Sequence, residues 1–309
     1  MKKKILAVVG ATASGKTDMA ISLAKEFDGE IVSADSMQIY KGMDIATAKP
    51  SIEEMQGIPH HLIDFLERDV SFSVADYVKL ANEKISDIIS RGKLPIIAGG
   101  TGLYIDSLLN NVKFSETKKD EEYCKSLEKF AEINGNDELY KILAETDPES
   151  AVSIHPNNLV RVIRALEVYH TTGRKLSELK AESRLEESPY DSFIIGLDYS
   201  KRDILYDRIN RRVDIMLERG LADEVGNLYL ESGKMKTASN AIGYKELIPY
   251  FENVQSFDEC VDKIKQETRH YAKRQLTWFR KNQKINWFLL DKIDEKNKIP
   301  QICRKIIAK

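Results

Sequence analysis

No apolar run among these 309 residues reaches the ~20 that a membrane-spanning helix needs. Met1-Lys2-Lys3-Lys4 runs straight into a strand-length apolar segment with no small-residue cleavage site behind it, so a secretory signal is missing and the expected location is the cytoplasm, away from membranes. Cysteine is scarce. Cys124, Cys260 and Cys303 are isolated and odd in number, which argues against a disulfide framework and a Cys-based zinc module and leaves packing as their role. Internal repeats and low-complexity segments are also lacking. The length supports an ordinary hydrophobic core without such staples.

What the sequence does hold is Gly10-Ala11-Thr12-Ala13-Ser14-Gly15-Lys16-Thr17, placed after the apolar run Ile5 to Val9 and before a helical pattern. This is G-x-x-x-x-G-K-[ST] in the context the motif requires. The glycines let several backbone N–H groups point at one anion, and the helix opening near Lys16 adds its positive dipole end. Lys16 can reach an outer phosphate, and the Thr17 hydroxyl can hold a magnesium ion.

The first third alternates strands and helices. Met19, Leu23 and Phe27 mark one helix face, which Gly29 is expected to end. Residues 30–34, 61–65 and 94–98 read as further strands, and Val74 to Ile89 keeps helical spacing with Ser73 as its cap. Strand-like runs vanish after Lys113 and return at 192–199 and 285–290, with long helices between those two. The expected fold is α/β: a phosphate-loop parallel sheet flanked by helices, with a mostly helical insertion domain. The expected parts are 1–112 (core), 113–190 (insertion) and 191–309 (core with basic C-terminal helices).

A nucleoside-triphosphate hydrolase needs a second strand ending in a carboxylate that orders magnesium and water. Here the strand at 94–98 ends in Gly99-Gly100-Thr101-Gly102, which offers close approach and a hydroxyl but no acid. The second strand ends instead in Ser33-Ala34-Asp35-Ser36-Met37-Gln38. Ligands of open parallel sheets gather at the strands' carboxyl ends, so Asp35 is expected to face the crevice of Lys16 and Thr17. There it can take a proton from an attacking amine or hydroxyl, although a lone Asp also serves as a helix cap. His60 and His61 are adjacent in a strand, point to opposite faces and suit turn and packing roles better than a shared metal. Arg208, Arg211 and Arg212 fit surface ion pairs, or one of them a phosphate contact.

The net charge of −2 conceals a basic segment. From Val261 to Lys284 eight basic residues face two acidic ones, a net +6, with Tyr271, Trp278 and Phe279 interleaved. Such a run suits a polyanion whose bases stack on aromatic rings. It also suits a solvated helix face with aromatic residues in the core.

These motifs together resemble bacterial tRNA dimethylallyltransferases, the isopentenyl transferases that modify adenosine 37 beside the anticodon. The likeness runs through Gly10 to Thr17, Ser33 to Ser36 with Gln38 and Tyr40, Asp44 to Pro50, Pro59 to Asp64, and Gly99 to Tyr104. It continues through Arg161 with Arg164 to Tyr169, Arg208 to Asp214, Ala241 to Glu246, and Tyr271 to Gln275 with Trp278 to Arg280. The resemblance implies that Gly10, Ala11, Thr12, Ala13, Ser14, Gly15, Lys16 and Thr17 hold the diphosphate of dimethylallyl diphosphate, and that tRNA enters a channel between core and insertion. Asp35 then accepts the N6 proton of the extruded adenine, and Thr101 positions the nucleophile or a phosphate. Lys16, Thr17-bound Mg2+ and Arg212 neutralise the leaving group. Implied tRNA contacts are Asp35, Ser36, Met37, Gln38, Thr101, Cys124, Arg161, Arg164, Lys273 and Arg274. The implied substrates are tRNAs reading codons that begin with U, and the expected assembly is a monomer.

Two departures stand out: Ala11 replaces a frequent proline, and Cys124 sits where a tRNA-contacting arginine is expected. The zinc module of eukaryotic relatives is missing, since no Cys/His ligand set follows Arg280. The competing readings are an ATP-dependent small-molecule kinase, which also places an Asp beside a phosphate loop, and a nucleic-acid-binding module with a regulatory nucleotide.

Overall fold

A computed structural model describes residues 2–114, 120–183, 185–230 and 237–307. Six strands, β1 (Lys3–Gly10), β2 (Gly29–Ser33), β3 (His60–His61), β4 (Leu94–Gly99), β5 (Tyr190–Asp198) and β6 (Ile285–Leu289), form one sheet in the order β3-β2-β4-β1-β5-β6. Every pairing is parallel. In chain order the helices are α1 (Lys16–Glu26), α2 (Ile52–Met55), α3 (Val74–Ser90), α4 (Gly102–Leu109), α5 (Glu121–Asn134), α6 (Asn136–Thr146), α7 (Pro148–Ser153), α8 (Leu159–Thr172), α9 (Leu176–Glu182), α10 (Arg202–Glu218), α11 (Leu221–Tyr229), α12 (Ile248–Phe251), α13 (Phe257–Phe279) and α14 (Ile293–Ile307).

Two compact units result, Met1–Leu109 with Pro189–Lys309, and Asn110–Ser188. In the first, β1 is apolar without interruption because both its faces are covered. Ile5, Ala7 and Val9 pack with Tyr77, Ile85 and Ile88 of α3 and Leu108 of α4. The alternate residues Leu6 and Val8 pack with Met19 and Leu23 of α1 and Ile299 of α14. This alternation fixes the register Leu6 to Ile96. Ser73 caps α3 as expected, its Oγ accepting from Asp76 N–H at 3.2 Å while Asp76 returns the bond to Ser73 N–H at 2.9 Å.

Helices α5 to α9 make the second unit, around Cys124, Leu127, Leu139, Leu143, Val162 and Leu166. Asp147 is fully buried there, accepting bonds from Ser150 N–H, Ser177 N–H and Ser177 Oγ. Burial opposes its ionisation, but those bonds outweigh it and hold the carboxyl at about 2. Among the described residues no helix is long and apolar enough to cross a membrane.

Two local expectations are corrected. Helix α1 stops at Glu26, and Gly29 opens β2, where a Cβ would press on the Leu94 carbonyl at 2.8 Å; its lack of a side chain serves strand packing. The strand expected at 61–65 shrinks to His60–His61 because Leu62 and Asp64 take φ of +59° and +54°, which turns the chain out of the ladder. His61 Nε2 lies 2.7 Å from Glu30 Oε2 and His60 Nδ1 lies 2.8 Å from the Ile58 carbonyl. Among the described residues no cluster of His, Cys, Asp or Glu could hold a metal.

Candidate active site

Because all six strands run the same way, Gly10, Ser33 and Gly99 end at one edge of the sheet. The ends are bonded to one another: Ala34 N–H donates to Ala98 O at 2.8 Å, and Thr101 N–H to Ala34 O at 3.1 Å. Above this edge lies a cavity of about 320 Å³, within the size range of small-molecule sites. It is lined by Thr12, Lys16 and Thr17 from the phosphate loop, by Asp35, Ser36, Met37 and Gln38 after β2, and by Arg212 from α10. Helix α13 closes it with Ile264, Thr268, Tyr271, Arg274 and Gln275, which share one helix face.

Gly15 takes φ +84° as the cap of α1, a turn that glycine makes without strain and that aims the helix's first N–H groups at the cavity. Not every loop amide is available to a ligand. Thr12 N–H donates to Gln275 Oε1 at 2.8 Å and Ser14 N–H to Ala11 O at 3.2 Å. Ala11 and Ala13 are buried against Leu205, Ile209, Ala272 and Leu276, and the Ser14 hydroxyl is buried without a bonding partner among the described residues.

Asp35 combines both roles that its position allows. Its Oδ1 accepts from Met37 N–H at 2.9 Å and Gln38 N–H at 3.3 Å, capping the turn. Among the described residues no hydrogen bond engages Oδ2, and the residue lines the cavity. Thr101 Oγ1 accepts from Ser36 N–H at 3.1 Å. Gln38 turns its Nε2 outward to the carbonyls of Thr47 and Ala48, at 3.2 and 3.1 Å, and so fastens a loop whose Ala46, Thr47 and Ala48 form another wall. Glu224 of α11 holds the same loop from behind, accepting from Asp44, Ile45 and Ala46 N–H at 2.8 to 2.9 Å.

Of the three candidate arginines only Arg212 lines the cavity. Arg208 donates through Nε to Ala13 O at 3.0 Å and lies over the Tyr199 ring, and Arg211 is exposed. Burial pulls the Arg212 guanidinium below its usual range, with Asp35 opposing. Lys16 donates to Ala11 O at 2.6 Å. Burial and, next, the Arg212 charge lower its ammonium to about 7 against the opposing pull of Asp35. Lys16, Arg212, Lys245 and Arg274 thus line one cavity whose lining, among the described residues, holds a single carboxylate, an arrangement that favours a polyanion.

The IPP transferase family model matches residues 38–282. The chain belongs to this family. This IPP transferase is 51% identical over 293 residues to the tRNA dimethylallyltransferase of Caldanaerobacter subterraneus subsp. tengcongensis, covering 94% of this chain and 93% of that protein. It is 49% identical to the tRNA dimethylallyltransferase of Bacillus subtilis, covering 100% of this chain and 98% of the relative. Among solved structures it is similar to the tRNA isopentenylpyrophosphate transferase of Bacillus halodurans, with a TM-score of 0.73 and 44% identity over 99% of this chain and 96% of that one. A eukaryotic dimethylallyltransferase acting on tRNA shares a TM-score of 0.82 and 32% identity over 98% of this chain and 78% of its own.

Of the other site expectations for this IPP transferase, Arg274 lines the cavity. Arg161 and Arg164 are exposed on α8, Arg164 paired with Glu167 at 2.7 Å. Cys124 is 8% exposed and packs in the apolar core of the second unit. On α13 the basic run is partly compensated, with Lys263, Lys265 and Arg280 paired to Glu267, Asp214 and Asp198. Lys273 is exposed and Arg274 lies over the Tyr271 ring, 5.8 Å from its centroid. The aromatic residues divide as well. Phe279 is core, Trp278 is partly exposed with its indole N–H on Asp106 Oδ2 at 2.6 Å, and only Tyr271 lines the cavity.

Sequence reasoning assigned no role to the walls at 46–48 and Asn240–Lys245, nor to Gln275. The 209, 213, 216 spacing on α10 could have placed Ile209, Val213 and Met216 beside Arg212.

The Lys16 environment makes a testable expectation. At pH 8 its ammonium is mostly deprotonated in the free protein, and a bound polyanion raises its affinity for a proton. Pyrophosphate binding at pH 8 should therefore draw up to about one proton more in the wild type than in Lys16→Met, and the difference should vanish near pH 6, where Lys16 is already charged. Calorimetry in buffers of different ionisation enthalpy measures it.

Proposed function

We propose that this chain transfers the dimethylallyl group of dimethylallyl diphosphate to N6 of adenosine 37 in tRNAs that read codons beginning with U, releasing diphosphate. The observation that carries this reading is one cavity lined by Lys16, Thr17, Arg212 and Asp35, without a carboxylate after β4. Hydrolysis of a nucleotide would need that missing acid. The family likenesses, from relatives to solved structures, do not favour the kinase reading either.

Adenine 37 leaves the stack of the anticodon loop to reach the cavity. As N6 bonds to the allylic carbon, the bond from that carbon to the diphosphate oxygen breaks, and the N6 proton passes to Asp35 Oδ2. Thr101 stands beside Ser36 to orient the acceptor. Lys16 and Arg212 take up the charge that develops on the departing diphosphate. The acceptor is uncharged and the leaving group good, so positioning and neutralisation are the protein's main tasks.

The site's donor set also fits Mg2+. That ion takes few protein oxygens and keeps water and phosphate ligands, which the lone Thr17 hydroxyl at the cavity wall allows and an all-protein cage would not. Thr17 would hold it, and when bound it neutralises diphosphate charge.

Incubating the protein and magnesium with unmodified tRNA carrying A36-A37-A38, and either labelled dimethylallyl diphosphate or γ-labelled ATP, separates the readings. Label should pass only from the prenyl donor; transfer from ATP alone would establish the kinase. If α13 meets the tRNA backbone, Lys273→Ala should weaken stem-loop binding and flatten the slope of log affinity against log salt by about one for each phosphate that Lys273 neutralises. Equal slopes in wild type and variant would remove Lys273 from the interface.

A further inference from the structure

We infer that Gln275 is a positioning residue that ties the leaving-group side of the cavity to the acceptor side, so that donor and tRNA bind cooperatively. The inference rests on the prenyl-transfer reading above. The Gln275 side chain is 6% exposed, and both ends of its carboxamide are engaged by backbone groups from two different strand ends. Its Oε1 accepts from Thr12 N–H at 2.8 Å, and its Nε2 donates to Gly100 O at 2.9 Å. A backbone N–H can only donate and a carbonyl only accept, so these partners fix the amide in one orientation.

One turn earlier on α13, Tyr271 lines the same cavity, and its hydroxyl feels the side chains of both Thr101 and Gln275. Thr101 in turn accepts from the amide of Ser36, the residue after Asp35. The phosphate loop is thus hydrogen-bonded through Gln275 to Gly100, whose chain neighbour Thr101 is hydrogen-bonded to the turn that carries the proton acceptor. The same helix bears Arg274 on the cavity wall and exposed Lys273. The fold makes room for this link. A Cβ on Gly100 would overlap the Gln275 amide nitrogen, so a glycine there admits the bridge.

A polar bridge of this kind is costly to half-remove, because Gly100 O would be left buried, and Thr12 N–H half-buried, without these partners. Its consequence is thermodynamic. A ligand that sets the phosphate loop also sets Thr101 and α13, and the effect is reciprocal.

The test uses the full chain with magnesium, inorganic pyrophosphate and an unmodified anticodon stem-loop RNA. In the wild type, saturating pyrophosphate should tighten stem-loop binding about tenfold. In Gln275→Glu, whose carboxylate faces the Gly100 carbonyl, and in Gln275→Ala, the coupling should fall to near onefold and kcat at saturating substrates by about 10- to 100-fold. Gly100→Ala should reproduce the loss from the other side. The double variant Q275A/G100A should be no worse than either single one, since the new methyl occupies vacated space. A wild type without coupling, variants that keep it, or losses in Q275A and G100A that multiply would each overturn the inference. Failure of the transfer reading shows separately, as a wild type that couples the two ligands yet transfers no prenyl group.

Discussion

Asp35→Asn should lower the turnover of prenyl transfer by about 10²- to 10⁴-fold while leaving tRNA affinity nearly unchanged. The asparagine side-chain oxygen can still accept from Met37 and Gln38 N–H as Oδ1 does, so the turn after β2 survives. What is lost is the basic oxygen that takes the N6 proton. Asp35→Ala removes the turn's acceptor as well and should add a loss of stability to a similar loss of turnover, which separates chemistry from folding. Because the Asp35 charge also supports the ammonium of Lys16, both variants should weaken donor binding above pH 7. Single-turnover transfer to a stem-loop RNA, with binding measured in parallel, gives both quantities. Wild-type turnover in Asp35→Asn would remove this residue from the mechanism.

Lys16→Met should lower kcat/KM for the prenyl donor by about 10²- to 10³-fold and yet raise the melting temperature of the ligand-free protein. Burial beside Arg212 holds the folded-state ammonium near 7 against an ordinary value of 10.5. The unfolded chain therefore binds more protons between those two values, and stability rises with pH across that window. The penalty is complete below about pH 7 and gone by 10.5, so the gain from Lys16→Met should be largest at or below neutrality and fade at alkaline pH. Thermal melts at pH 6.5 and 9.5, without ligand, measure it. A variant less stable than wild type at both values would mean that Lys16 bonding to Ala11 O matters more than its burial.

The parts legible in the sequence are those whose signals are local. An apolar run, a glycine-rich turn and a helical period specify β1, the phosphate loop and α1 within 24 residues of one another. Ser73 and Asp76 announce the start of α3 in four letters. Lys16, Thr17, Asp35 and Arg212 converge because parallel strands share a carboxyl edge, a rule that needs no coordinates. The end of β3 was not legible, since Leu62 and Asp64 adopt positive φ without a glycine to mark it; tertiary contacts there override local preference. The far walls of the cavity, 46–48 and Asn240–Lys245, lie in segments without periodicity and are brought in by the packing of α10, α11 and α13 around Tyr40 and Met43. Gln275 sits within a recognisable motif, but its task depends on α13 crossing the ends of β1 and β4, more than 170 residues away in sequence. Cys124 was legible more simply: an isolated cysteine suggests packing, and it lies in the apolar core of the second unit.

The most direct measurement is mass spectrometry of nuclease digests from unmodified tRNA incubated with the protein, magnesium and dimethylallyl diphosphate. The expected product carries one dimethylallyl group, on N6 of adenosine 37, with one diphosphate released for each group transferred. A group found on another atom or nucleotide, or diphosphate released without any transfer, would contradict the assignment of Asp35 and the phosphate loop to the two sides of this reaction.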